Sequence, residues 1–421
     1  MKKEDVMLSE FFVSRWRIHT LRDGPAGALF DGFAQALSAT GYSTITARRY
    51  LRAAEHFIHW TGRTGLPVRE VNEESLARFG RHLGRCRCPQ QGHADRESLT
   101  QGARMFLKYL RDTRIVSMSA PKPPVPDPVL LSNFCQWMRV QRGTCDATLT
   151  NYGFHIRELL TQLGEEPSQW NAHSLRAFIL EKSRPRGLAA VTTCTTALRM
   201  FVRFLIADGQ CAVGLDAAMP TLAHWRLAAL PRYLQPDDVE RVIASCDPAS
   251  PAGRRDRAIL LLLARLGLRA GDIGHLRLSD IDWQHAWIHV CGKSRRQTRL
   301  PLSQEVGQAI VAYLQDGRPR TTTDALFVRC RAPIGALDSH GAVTAIVVRA
   351  LHRAGVAHPS RGAAHLLRHS VATSMLRHGA SLQDIGVLLR HRSIETTQIY
   401  AKVEVMMLRS IAQPWPEVQP C

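Results

Sequence analysis

Four segments in the C-terminal half of the chain each present a cationic or nucleophilic side chain at a turn or on a helix face. An apolar stretch beginning near Asp256 reads as a helix that ends at a glycine-flanked turn and presents Arg269. Lys293 follows Gly292 in the loop of an expected β-hairpin. His365 and Arg368 are three apart, so on a helix they share one face. His391 falls in a short break between two expected helices, and Tyr400 lies on the second of these, which Ser393 can cap. Guanidinium forks, an ammonium and imidazole donors bind anionic oxygens, so the set suggests a phosphate site. Taken singly, each residue has a duller reading, because most basic side chains are simply solvated and a lone tyrosine is usually half-buried packing.

The elements that must position these residues belong to a chain of 421 residues, too long for one ordinary core, so two to four domains are expected. With 45% hydrophobic and 22% charged residues, the composition is that of a folded globular protein. Lys plus Arg number 55 against 36 Asp plus Glu, a net charge of +19, which points to a polyanionic partner, nucleic acid first. An anionic membrane is the other candidate. The longest purely apolar run, Ala258 to Ala264, lies between Arg257 and Arg265 and cannot span a bilayer. The N-terminus carries charges but no continuous apolar stretch or cleavage site, so a cytoplasmic protein is expected. Ten scattered cysteines without C-x-x-C spacing read as reduced thiols. Cys86 and Cys88 with His82 and His93 could bind zinc, but the C-x-C pair and irregular histidines match finger spacing weakly, and a loop with free thiols is the plainer reading.

Two N-terminal segments read alike when offset by about a hundred residues. Arg104, Met105 and Phe106, followed by Leu107 to Leu110, match Arg199, Met200 and Phe201, followed by Val202 to Leu205. Upstream, Ser75, Leu76 and Phe79 correspond to Ser174, Leu175 and Phe178, and Tyr50 to Tyr152. Each copy reads as about four short helices, with turns at residues such as Gly41, Gly143 and Gly164. Pro121, Pro123, Pro124, Pro126 and Pro128 should form a stiff extended linker between the copies, although one continuous helical array is an alternative. The expected division is an extension at 1–28, a helical module at 29–116, a linker at 117–128, a second helical module at 129–212, a linker at 213–229, a C-terminal domain at 230–405 and a tail at 406–421. That domain reads as mainly helical, beginning with acids after Pro236, with a hairpin formed by residues 286–290 and 297–302.

From about Leu230 to Val403 the sequence resembles the tyrosine recombinase, or phage integrase, family. The resemblance rests on Gly267-Leu268-Arg269, Gly292-Lys293, the run His365 to Ser370, Leu388 to His391, and a tyrosine nine residues after that histidine. It implies a catalytic set of Arg269, Lys293, His365, Arg368, His391 and Tyr400, all present. Arg390 departs from the pattern, standing where the family commonly has glycine; this bears on the backbone turn rather than the chemistry. Asp272 takes a place often held by an acid that supports the first arginine and reads as structural. The two repeated modules resemble the core-binding and arm domains that precede such catalytic domains. The closing segment, through Trp415 and Pro416, resembles the tail of recombinases carried by bacterial mobile elements.

The resemblance implies a transesterification in which a tyrosine oxygen attacks a DNA phosphate, giving a 3′-phosphotyrosine and a free 5′-hydroxyl. A phenol with a reference pKa of about 10 is a weak nucleophile until its proton is drawn off. His365 would be the base or proton relay, Arg269, Arg368 and His391 would bind the nonbridging oxygens, and Lys293 would protonate the departing oxygen. One phosphodiester is exchanged for another, so no cofactor is expected; the partners would be duplex DNA and other recombinase protomers, four to a synapse. Gly292-Lys293-Ser294 is not the end of a P-loop, since Trp287 stands where that motif needs glycine. Nor is there an H-E-x-x-H motif or an obvious acidic cluster for a two-metal nuclease. A topoisomerase-like nicking and closing enzyme would share the chemistry, but the long repeated arms argue against it. A catalytically silent accessory subunit is the other alternative, and the complete six-residue set argues against that.

Overall fold

The computed structural model describes residues 6–88, 95–116, 126–221, 231–292, 297–359, 362–391 and 393–403. Lys293, His93, most of the proline-rich linker and the tail at 406–421 lie outside them. The chain divides into two compact units, one combining Met1–Ser117 with Leu227–Cys421 and the other formed by Met118–Arg226. Helices dominate, and the described residues hold one three-stranded sheet, the mainly α class expected from sequence.

The N-terminal part of the first unit builds its core from Phe30, Phe33, Phe57, Phe79 and Phe106, on the helices Gly27–Ala39, Thr44–Arg63, Glu73–His82 and Arg96–Asp112. Leu8, Phe11 and Leu21, from before residue 29, share that core. The second unit runs through Val129–Arg142, Asp146–Leu163, Ala172–Ser183 and Leu188–Ala207, around Phe134, Phe178 and Phe201. In both segments a 3-10 turn precedes the third helix, and an Asn-Ser capping box starts it. Asn72 Oδ1 accepts from Ser75 N at 3.0 Å, and Asn171 Oδ1 accepts from Ser174 N at 3.0 Å. The helix Leu188–Ala207 is long and apolar enough to cross a membrane by length and composition alone. Here Leu198, Phe201 and Leu205 lie in the core of the unit, while Arg203 pairs with Asp216 at 2.8 Å.

The C-terminal part of the first unit is centred on the helix Pro251–Leu266, whose residues Ala258 to Leu263 are all buried. It starts before the expected Asp256, because Ser250 Oγ accepts from Gly253 N at 3.0 Å and Pro251 suits the first turn. Strand β1 (Ile281–Asp282) pairs antiparallel with β2 (Trp287–Cys291), which pairs with β3 (Gln297–Pro301). The register sets Ile288 opposite Leu300, so alternate side chains enter the core. The hairpin was expected; the two-residue β1 was too short to leave a pattern. Helices His340–Arg353 and Ala363–Arg377 pack on the central helix.

Candidate active site

Two turns and one buried arginine organise the site. Gly267 ends the central helix at φ +57, and a Cβ there would sit 2.6 Å from Leu389 Cδ2, so glycine supplies both the left-handed backbone and the close approach. Arg269 follows as the residue before the short helix Ala270–Gly274, and its backbone N donates to Asp272 Oδ2 at 3.4 Å. The second turn ends the helix Leu382–Leu388 and leads to His391. Arg368, 4% exposed on the helix Ala363–Arg377, bridges them: Nη1 donates to the Gly267 carbonyl and Nη2 to the Leu389 carbonyl. One guanidinium therefore fixes the backbone that presents both Arg269 and His391. Arg269 Nη2 also donates to the Arg390 carbonyl, at 3.5 Å.

Arg390, the departure from the family pattern, keeps the left-handed turn that glycine would adopt, with φ +54. A non-glycine residue there costs roughly 1–2 kcal/mol. Its guanidinium is held by a salt bridge to Asp272, which thereby ties the two turns together. Arg390 Nε and Nη1 are buried and make no hydrogen bond. A methyl built on Gly292, the residue before Lys293, would lie 3.8 Å from Arg390 Nη1, so the end of β2 abuts this corner.

Tyr400 lies on a 3-10 helix, Gln398–Val403, and not on the expected α-helix. Nor does Ser393 cap through its side chain; it precedes the 3-10 turn Ile394–Thr396. The i to i−3 bonds from Thr397 N to Ile394 O, 2.8 Å, and from Tyr400 N to Thr397 O, 3.0 Å, hold this tighter coil. It lets Thr397 Oγ1 lie 2.9 Å from His391 Nδ1. The Tyr400 side chain is only 1% exposed, its ring parallel to that of His391 at 6.4 Å. Its Oη lies 2.8 Å from His369 Nδ1, and the His369 ring is 6.4 Å from that of His365, which stands exposed at the start of the same helix. The structure thus brings together Arg269, His365, Arg368, His391 and Tyr400. Sequence reasoning missed His369. The available signal was its i+4 spacing from His365, which puts both on one helix face.

The site is cationic, and Arg368 and Tyr400 in it are buried. Burial, reinforced by Arg269, brings the Arg368 guanidinium down to about 10. Burial lowers His391 to about 4, with Arg368 and Arg269 adding to the shift, and lowers His369 to about 4, with His365 adding to it. Burial raises the Tyr400 phenol, opposed by the two arginines. Every one of these charged-state penalties on the cations would be eased by an anion among them. Asp272, already bound to Arg390, is the carboxylate at this corner.

Comparisons with known proteins identify the family. Residues 232–406 match the phage integrase family model. A Sinorhizobium fredii protein named as an integrase/recombinase is 35% identical over 94% of this chain and 95% of its own length. Tyrosine recombinase XerD of Lacticaseibacillus casei is 28% identical over 64% of this chain and 92% of its own. Among solved structures, XerH site-specific recombinase bound to a palindromic difH substrate in a post-cleavage complex shares the fold. Its TM-score is 0.54 at 17% identity, over 81% of this chain and 95% of that one. The chain belongs to the phage integrase family and is a tyrosine recombinase.

Proposed function

We propose that this recombinase cleaves and rejoins specific DNA sites through a 3′-phosphotyrosine at Tyr400, in the service of a bacterial mobile element. The observation that carries the reading is the Tyr400 hydroxyl, 2.8 Å from Nδ1 of His369, the residue next to the Arg368 that fixes both cationic turns. With His369 neutral at pH 7, Nδ1 can accept the phenolic proton as Oη attacks phosphorus, and His365 relays it to solvent. Arg269, Arg368 and His391 stabilise the charge that gathers on the nonbridging oxygens. The bond to the 5′-oxygen breaks as Lys293, which falls between β2 and β3 in the sequence, gives it a proton. Tyr400 is packed against its own domain, so its 3-10 segment must shift for in-line attack. The helical modules at 29–116 and 129–212 grip duplex DNA, and protomers assemble as a tetramer on two synapsed duplexes, in the cytoplasm where that DNA lies.

The test uses nicked suicide duplexes from the ends of the host element, without added metal. The parent chain should give a denaturation-resistant protein–DNA adduct and Tyr400→Phe none, although both bind the duplex. Binding by both with an adduct from neither would make the chain a silent accessory subunit.

A further inference from the structure

The first helical module carries a group of side chains that recombination chemistry does not use. His56 Nε2, His82 Nε2, Cys86 Sγ and Cys88 Sγ converge so that one ligand atom from each lies within 4.8 Å of all the others. Cys86 Sγ is 3.3 Å from His56 Nε2, and Cys88 Sγ is 3.4 Å from His82 Nε2. A tetrahedral zinc with Zn–S near 2.3 Å and Zn–N near 2.0–2.1 Å sets its ligand atoms roughly 3.3–3.8 Å apart. The two measured pairs already have that spacing, and the longest separation needs to close by only about 1 Å.

We infer that His56, His82, Cys86 and Cys88 form a structural zinc site that ties the long helix of the first module to the chain leaving its third helix. Two thiolates and two imidazoles are the donor set that selects zinc, and four protein ligands leave no open position for catalysis. His56 projects from the middle of Thr44–Arg63, His82 ends Glu73–His82, and the cysteines follow a single 3-10 turn, Leu83–Arg85. His56 is 2% exposed, and its Nε2 is turned to Cys86 Sγ rather than to solvent, as a ligand nitrogen must be. Cys88 N points at Cys86 Sγ at 3.4 Å, and Arg63 Nη1 approaches Cys88 Sγ at 4.0 Å; both are donors that suit a thiolate. His56, twenty-six residues before His82, takes the place that sequence spacing would have given to His93.

The second module supports the reading by contrast. Six residues after Tyr50 stands His56, and six after Tyr152 stands Glu158. Cys86 and Cys88, seven and nine after Phe79, bracket the position of Arg186, eight after Phe178. Arg186 Nη2 donates to Glu158 Oε1 at 2.8 Å. The same joint between long helix and exit loop is therefore closed by an ion pair in one module and by the metal-ligand set in the other. Zinc binding breaks two S–H bonds, forms two Zn–S bonds and releases two protons to solvent.

The test is metal content of the full chain, purified without chelator and measured by mass spectrometry. Parent protein should carry about one zinc per chain and Cys291→Ser the same, with the metal largely lost in Cys86→Ser/Cys88→Ser and in His56→Gln/His82→Gln. Should those variants fold poorly, cobalt loading of the parent reads the site directly, through thiolate charge-transfer and tetrahedral d–d bands. A parent with no more zinc than the cysteine double variant, a parent without those cobalt bands, or a Cys86–Cys88 disulfide in its peptide map overturns the inference.

Discussion

The two helical modules run through the same succession of elements, yet they fasten it differently. At the joint between long helix and exit loop, the first gathers His56, His82, Cys86 and Cys88, and the second gathers Glu158, Arg186 and Lys182. At the core they are alike: Phe106 and Phe201 occupy matching places in matching helices and are both fully buried. The comparison separates what the repeat must keep, an aromatic interior, from what it can exchange, the chemistry of a surface tie.

The largest expected effects test the shared part. Phe106→Ala and Phe201→Ala should each cost about 3–5 kcal/mol in denaturant unfolding, and a strong asymmetry between them would break the equivalence of the cores. Next comes the joint. Chelation should destabilise the first module by about 4 kcal/mol if free zinc had stood a thousandfold above its Kd. Hydrogen exchange should register this in peptides covering residues 44–112 while residues 146–207 stay unchanged. Equal responses from both stretches would remove the distinction.

Smaller effects belong to the ion pair. Glu158→Gln should cost on the order of 1 kcal/mol, since the pair is partly hydrated, and should leave metal content untouched. Burial pushes the Glu158 carboxyl up, but Arg186, Lys182 and His155 outweigh it and hold it below the usual carboxylate value of 4.5. Its folded value being depressed, its contribution is complete above pH 4.5 and is lost as pH falls through the lower folded value. Zinc leaves its site by proton competition, so on acid titration the first module should loosen before the second. The reverse order in exchange rates at stepwise lower pH would contradict the assignment of the two ties.

What could be read from sequence followed the range of the interactions. Helical periodicity, the hairpin and the paired Arg-Met-Phe runs are local patterns, and they announced the mainly α fold and the resemblance between the N-terminal segments. The motif residues Arg269, His365, Arg368 and His391 were visible because each belongs to a short run of fixed pattern, and Tyr400 because it stands nine residues after His391. His369 went unnoticed because its hydrogen-bond partner is Tyr400, thirty-one residues away. His56 was missed for the same reason, since only tertiary packing brings it to Cys86. Arg390 gave no clue that it would retain a left-handed turn, because the compensating salt bridge to Asp272 spans 118 residues. The 3-10 coil at Tyr400 was hidden too, because the contact it makes between Thr397 and His391 appears only in the folded chain.

The most direct test of the central claim locates the covalent bond. Protein trapped on a nicked suicide duplex would be digested with nuclease and trypsin, and the peptides sequenced by mass spectrometry. The expected product is a nucleotide 3′-phosphate on the peptide spanning residues 393–402, borne by Tyr400, its one tyrosine. A nucleotide found on any other side chain, or trapped adduct from Tyr400→Phe at the parent's yield, would contradict it.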